Sequence, residues 1–211
     1  EAERTGRQSH GVRLLGLYVD RLLDGQVDGR ATPAIVSDDG ALLQIDGCKA
    51  FGQVVGDFAA GSGVSRARMH GVSVVTVCNA GHLGRSARWP EYAARHGFAS
   101  IHFVNGFVSA ASVVPFGGTA PKLPSGPIAL GAPSADGKHV VLDFSVAALS
   151  TNSVRLAAER PEMLPFRALM RPDGSTSEDP RDFLENAAAL LPFGGFKGYG
   201  LAVFAGIFAG I

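Results

Sequence analysis

The run Val72-Ser73-Val74-Val75-Thr76-Val77-Cys78 constrains the fold more than any other stretch of this sequence. Its valines and threonine are stiff at χ1 and suit a pleated, half-buried surface, so the run predicts a strand. It stops at Asn79-Ala80-Gly81, and His82 lies just past its end. In sheet-and-helix proteins such a position falls on a loop over the edge of the sheet, where ligands bind and chemistry is done.

Other elements alternate around this strand. Leu42 to Ile45 reads as a short strand, Phe51 to Met69 as a helix despite Gly61 and Gly63, and Ser86 to His96 as another helix. Ala99 to Val104, Ile128 to Gly131 and Val140 to Phe144 are further strand candidates. Val12, Leu15, Tyr18, Val19 and Leu22 recur at helical spacing before Gly25, which predicts an amphipathic helix after Ser9-His10-Gly11. His10 at its start would suit a carboxylate or phosphate. From spacing alone, the plainer reading of Ser9 as an N-cap and His10 as a surface residue is favoured. Pro172-Asp173-Gly174 reads as a turn, and Asp179-Pro180 opens a helix with Phe183, Ala187, Leu190 and Leu191 on one face. The class is therefore α/β or α+β.

Composition narrows the partners. A chain of 211 residues that is 46% hydrophobic buries a core. Lys plus Arg equals Asp plus Glu at 19 each, so no overall field draws nucleic acid or an anionic membrane, and a small solute is the expected partner. Cys48 and Cys78 form no CxxC pair, and both are expected to be buried apolar residues in a reducing compartment. No metal site is expected. No secretory signal opens the chain, and Glu1 reads as a cut or processed end. Tyr199 to Ile211 is apolar but too short to span a bilayer, and the sequence stops inside it. The chain is expected to be truncated at both ends.

No GxxxxGK[ST], complete GxGxxG, GxSxG or HExxH occurs, which disfavours P-loop, Rossmann, nucleophile-elbow and zincin readings. Left over are His10, His82, Asp143 and Lys197, each in a polar or glycine-rich setting. The glycines around Lys197 in Phe193-Gly194-Gly195-Phe196-Lys197-Gly198-Tyr199-Gly200 would let backbone approach a ligand, although a solvated Lys in a turn is an equal alternative.

Taken in order, several segments resemble the malate/L-lactate dehydrogenase family, whose members reduce 2-oxo acids with NADH or NADPH on a fold unrelated to the Rossmann sheet. They are Ser9-His10-Gly11 with Tyr18, Ile45-Asp46-Gly47 with Phe51-Gly52, and Asn79-Ala80-Gly81-His82-Leu83-Gly84. Val114-Pro115-Phe116-Gly117-Gly118, Val141-Leu142-Asp143-Phe144-Ser145, and Leu191-Pro192 leading to Lys197-Gly198-Tyr199-Gly200-Leu201 follow. Phe51-Gly52-Gln53-Val54 and Phe98 to Val104 look most like the bacterial hydroxycarboxylate dehydrogenase branch.

The resemblance implies a non-Rossmann NAD(P)-binding fold in one incomplete catalytic region, with residues 1–40 a helical substrate and dimer segment and 41–211 a sheet-and-helix cofactor-binding region. It implies His82, His10 and Ser9 as catalytic residues, and Arg13 and Tyr18 as substrate-binding. His10, His82, Leu83, Gly84, Leu142, Asp143, Phe144, Ser145, Val146 and Lys197 are implied as cofactor-binding. The implied cofactor is NAD or NADP, the substrate a small 2-oxo or 2-hydroxy acid, the assembly a homodimer, the location cytoplasmic. A histidine with an unperturbed pKa of about 6.5 suits proton transfer to the alkoxide formed as hydride reaches the carbonyl carbon.

Three departures stand beside the likeness. Leu14 occupies a place where many members carry an arginine, with Arg13 one step earlier and about a third of a turn away. The family's Gly-Thr-Asn-Pro appears as Ser125-Gly126-Pro127, and its Gly-Lys as Thr151-Asn152. They motivate a second reading, a non-catalytic relative that keeps the scaffold and nucleotide binding. A hydrolase built on Ser9-His10 is a third, which predicts ester cleavage without cofactor.

Overall fold

The β-branched run that ends at Cys78 forms β3 (Val74–Cys78), and the two elements before it build a strand-helix-strand unit around it. In this computed structural model, which describes residues 2–106 and 111–209, β2 (Leu42–Asp46) runs parallel to β3 and is joined to it by α2 (Gly52–His70). Ahead of them β1 (Ala34–Asp39) pairs antiparallel with β2, giving a mixed sheet of order β1-β2-β3. Alternation decides which face is inside: Leu43 and Ile45 are each 1% exposed, while their neighbours Leu42 and Gln44 face outward.

Contacts divide the chain into two compact units. The first comprises Glu1–His102 and Ala129–Asp143, the second Phe103–Ile128 and Phe144–Ala209. Residues 1–40 contain both a helix, α1 (Leu15–Leu23), and the strand β1, and both elements lie with β2, α2 and β3 in the first unit. Three 3-10 turns, Glu3–Thr5, Gln8–His10 and Val12–Leu14, precede α1. The predicted stripe forms, yet Val12, Leu15, Val19 and Leu22 remain exposed, and Leu14 is the buried residue of this segment. Further along lie α3 (Arg88–Arg95), β4 (Ser100–Phe103), β5 (Pro127–Ala132) and β6 (Val140–Ser145), with sheet order β4-β5-β6.

The second unit is organised by α4 (Thr151–Glu159), β7 (Leu169–Met170), β8 (Thr176–Ser177), α5 (Pro180–Glu185), β9 (Ala189–Leu190) and α6 (Phe196–Phe208). Its core gathers Val113, Val154, Leu164, Leu169 and Leu190. The Asp179-Pro180 start is as expected: the Asp179 side chain accepts from the Arg181 N–H at 3.0 Å, with Pro at the first helical position. The predicted continuation through Leu191 is not. The helix ends at Asn186, Ala187 adopts φ 55°, and Leu190 pairs with Leu169 as a strand. Main-chain bonds from Leu190 N–H to Ser112 O and from Leu191 N–H to Ala168 O outweigh the helical spacing.

Both cysteines are exposed, contrary to expectation. Cys48 sits in the turn after β2 at φ 52°, and Cys78 ends β3, an edge strand exposed along most of its length. Among the described residues, no helix is long and apolar enough to cross a membrane.

Candidate active site

His82 is placed by the close passage of two chain segments. Beyond β3 the chain turns over the end of β2: Gly47 N–H donates to Cys78 O at 2.8 Å, Lys49 N–H to Asn79 O at 2.8 Å, and Gly81 N–H to Ala50 O at 3.1 Å. The Asp46 carboxylate accepts from Cys48 N–H at 2.7 Å and from the Asn79 side-chain amide at 3.1 Å. These hydrogen bonds hold the Asp46 carboxyl below its ordinary pKa. Gly52, the first residue of α2, lies directly against Gly81 O and His82 O, where a Cβ would overlap both. Gly84, at φ 79°, completes the turn and would bring a Cβ to 3.2 Å from the Gln53 amide nitrogen.

The histidine ring meets residues from three parts of the first unit. Tyr18 Oη lies 3.0 Å from His82 Nδ1, and the Gln53 side-chain N–H donates to the same Tyr18 oxygen at 2.9 Å. The His10 ring stacks on His82 at 5.9 Å between centroids and 15° between planes, and His10 Nδ1 lies 3.0 Å from Ser9 Oγ. Phe51 packs edge-on against Tyr18. Burial, then the positive fields of His10 and Arg21, lowers the His82 pKa to about 4. Burial also lowers His10, opposed by the negative charge of Asp143. It raises Tyr18, opposed by the hydrogen bond from Gln53 and by Arg21.

Thus Ser9, His10 and His82, expected to be catalytic, lie together with Tyr18, expected with Arg13 to bind substrate. His10 belongs to a 3-10 turn rather than to the start of α1, so a helix-terminus role for it does not apply. Arg13 is exposed, whereas Leu14, the departure at position 14, is 5% exposed. Leu83 and Gly84 are half-buried on the His82 loop. Leu142 is exposed, and Asp143 accepts from the Ala87 N–H at 2.8 Å, capping the start of α3.

Sequence reasoning missed Gln53 and Arg21. The available signal for Arg21 was its spacing of three from Tyr18, which puts the two on one helix face. For Gln53 it was the second position of a helix opening with Gly52 against the loop. The open groove of about 490 Å³ on this unit lies elsewhere, lined by Ile35, Asp57, Phe58, Ser62, Arg66 and Met69, and holds none of these residues.

The remaining predicted positions belong to the second unit. Phe144 packs edge-on against Phe193, and Ser145 Oγ donates to Ser125 O at 3.0 Å. Val146 is 1% exposed, with its N–H on Gly126 O and its carbonyl accepting from Phe193 N–H. Gly126 itself is required by the chain, because a Cβ there would overlap Val104 O. Lys197, exposed, is the second residue of α6. The glycine after it also has an internal cause: a Cβ at Gly198 would overlap Phe193 O.

The same arrangement of segments is found in known proteins. The malate/L-lactate dehydrogenase family profile matches residues 1–211. An L-lactate dehydrogenase of Cupriavidus necator is 36% identical over all of this chain and 61% of its own length. Hydroxycarboxylate dehydrogenase B of Escherichia coli K12 is 31% identical over 99% of this chain and 58% of its own. The crystal structure of Δ1-piperideine-2-carboxylate reductase from Pseudomonas syringae superposes with a TM-score of 0.91 at 32% identity, covering 99% of this chain and 61% of that one. The chain therefore spans about three-fifths of the length of the relatives it matches. With the profile matched from end to end and the fold shared at this identity, the chain belongs to the malate/L-lactate dehydrogenase family.

Proposed function

We propose that the protein to which these residues belong interconverts a small 2-oxo acid and its 2-hydroxy acid by hydride transfer with NAD or NADP, and that His82 moves the proton. The observation that carries this reading is the His82 imidazole, half-buried on a loop at the carboxyl end of β3, hydrogen-bonded to Tyr18 and stacked on His10. A histidine so held can hand a proton to an oxygen that gains charge as a carbonyl is reduced.

The residues present fit a nicotinamide dinucleotide. In the first unit His10 and His82 offer flat, stacked rings; in the second, by itself, Lys197 is an exposed cation in the first turn of α6, a residue type suited to phosphate. When bound, the cofactor supplies the hydride. Leu83, Gly84, Leu142 and Asp143 are the cofactor-binding positions that the family likeness suggests in the first unit; Phe144, Ser145 and Lys197 are those it suggests in the second. Val146 would act only through the strand end it anchors. Tyr18 and Arg13 would serve the substrate, and the active assembly would be a cytoplasmic homodimer. With Leu14 buried, the nearest cation on the Tyr18 face of α1 is Arg21, the better candidate for the substrate carboxylate.

The test is steady-state oxidation of NADH and NADPH against pyruvate, phenylpyruvate and oxaloacetate. Δ1-Piperideine-2-carboxylate belongs in the panel because a 34% identical protein of P. syringae carries that reductase name. Turnover with at least one acid and one cofactor is expected. Cofactor binding by folded protein without turnover on any of them would make this the non-catalytic relative instead.

A further inference from the structure

The chain of hydrogen bonds behind His82 has a direction. Gln53 Nε2 can only donate, and it donates to Tyr18 Oη; the phenol hydrogen then has His82 Nδ1, 3.0 Å away, as an acceptor within reach. With Nδ1 accepting that hydrogen, the single proton of the neutral ring sits on Nε2.

We propose that Gln53 is a positioning residue which, through Tyr18, fixes His82 in the Nε2–H tautomer, and that Tyr18 is the source of the proton His82 passes to the substrate oxygen. This rests on the dehydrogenase reading above for the identity of the acceptor, but not for the tautomer. In the reducing direction the carbonyl carbon takes hydride from the reduced nicotinamide. As charge develops on the carbonyl oxygen, the His82 Nε2–H bond breaks and an O–H bond forms on the substrate. The Tyr18 O–H bond breaks and an Nδ1–H bond forms. His82 remains neutral throughout, the negative charge moves to the Tyr18 oxygen, and a proton from water restores the phenol.

The surroundings favour this route over storage of the proton as imidazolium. The groups facing His82 are His10, stacked on it, Tyr18, and the cation Arg21, and none is acidic. Asp143 and Arg7 act on His10 with opposite signs. With its pKa at about 4, His82 is almost entirely neutral near pH 7. Tyr18 faces Gln53 and Arg21, both of which favour its phenolate and oppose the effect of burial. A phenol with an ordinary pKa of about 10 is still far more acidic than an alcohol comparable to water at about 15.7, so transfer to an alkoxide runs downhill.

The experiment reads the tautomer directly, by side-chain ¹⁵N NMR of the full chain labelled at histidine, with His82 assigned through His82→Gln. At pH 7 His82 should show an unprotonated Nδ1 and a protonated Nε2. In Gln53→Glu the carboxylate accepts the Tyr18 hydrogen, the phenol oxygen turns to accept from the ring, and His82 should switch to Nδ1–H. Tyr18→Phe should leave a mixture. An Nδ1–H ring in the unsubstituted protein, or an unchanged Nε2–H ring in Gln53→Glu, overturns the positioning role. Tyr18→Phe should also lower kcat for reduction at least about tenfold and make it fall as pH rises from 5 to 9, where the unsubstituted enzyme is flat. A Tyr18→Phe enzyme with unchanged kcat and pH profile overturns the proton source. The expected tautomers in a protein that turns over no substrate support the positioning and count against the dehydrogenase reading alone.

Discussion

The two compact units hold their titratable groups in opposite fashion. In the first, His82 and His102 are half-buried beside neutral partners, Tyr18 Oη and Ser100 Oγ at 3.0 Å, and burial drives each pKa to about 4. In the second, the buried group is a charge. Asp182, 7% exposed, accepts from Ser177 Oγ, from Arg171 Nε at 2.9 Å and from the Asn186 amide at 3.0 Å, and these bonds hold its carboxyl at about 2. A buried charge surrounded by donors adds to stability, because losing it strands its partners. A desolvated neutral histidine contributes little to the fold, and its retention there points to chemistry.

Substitutions sharpen the contrast. His82→Ala should lower turnover at least about a hundredfold, with cofactor affinity within about tenfold and thermal stability little changed. Unchanged turnover with a lower Tm would assign His82 to the fold and erase the distinction. Asp182→Ala should do the reverse, costing about 3 kcal/mol in denaturant unfolding, since Arg171 and Ser177 lose their acceptor.

Acid should separate the units next. A histidine with a folded pKa below its unfolded 6.5 binds its proton more readily when unfolded. The first unit therefore loses stability as pH falls from about 6.5 to about 4, on the order of 2 kcal/mol per histidine. The Asp182 contribution is fully present above its unfolded 3.8 and is lost only as pH falls through about 2. Hydrogen exchange at pH 7 and pH 4.5 should show amides of β2 and β3 losing protection before those of β7 and β9, and equal loss in both sets would break the comparison. The smallest effect is local. Ser150 Oγ accepts from Ser153 N–H at 3.1 Å at the start of α4, and Ser150→Ala should cost about 1 kcal/mol.

Much of the frame was legible because local chemistry agrees with it. The β-branched run became β3, the Asp179-Pro180 start capped α5, and Asn79-Ala80-Gly81 turned where it should. Readings failed where distant pairing ruled. Leu190 sits at helical spacing from Phe183 but is claimed by β7, and Ala34–Asp39, ending in Ser-Asp-Asp, gains its strand character from β2. The site was legible only in part. His82 follows a strong strand, but nothing in spacing predicts that Tyr18, 64 residues earlier, reaches its Nδ1. Gln53 is marked only by its place after Gly52 at the start of α2, since an amide in a helix looks the same whether it faces solvent or a catalytic pair.

The crossing of Gly52 and Gly81 bears on how this protein could be re-engineered. Two backbones that meet without a side chain between them fix the length of the loop as firmly as its course, so insertions or deletions between Cys78 and Gly84 should inactivate rather than retune. Libraries aimed at new substrates would yield most on α1, from which Tyr18 touches His82 and Arg21 acts on it through its charge.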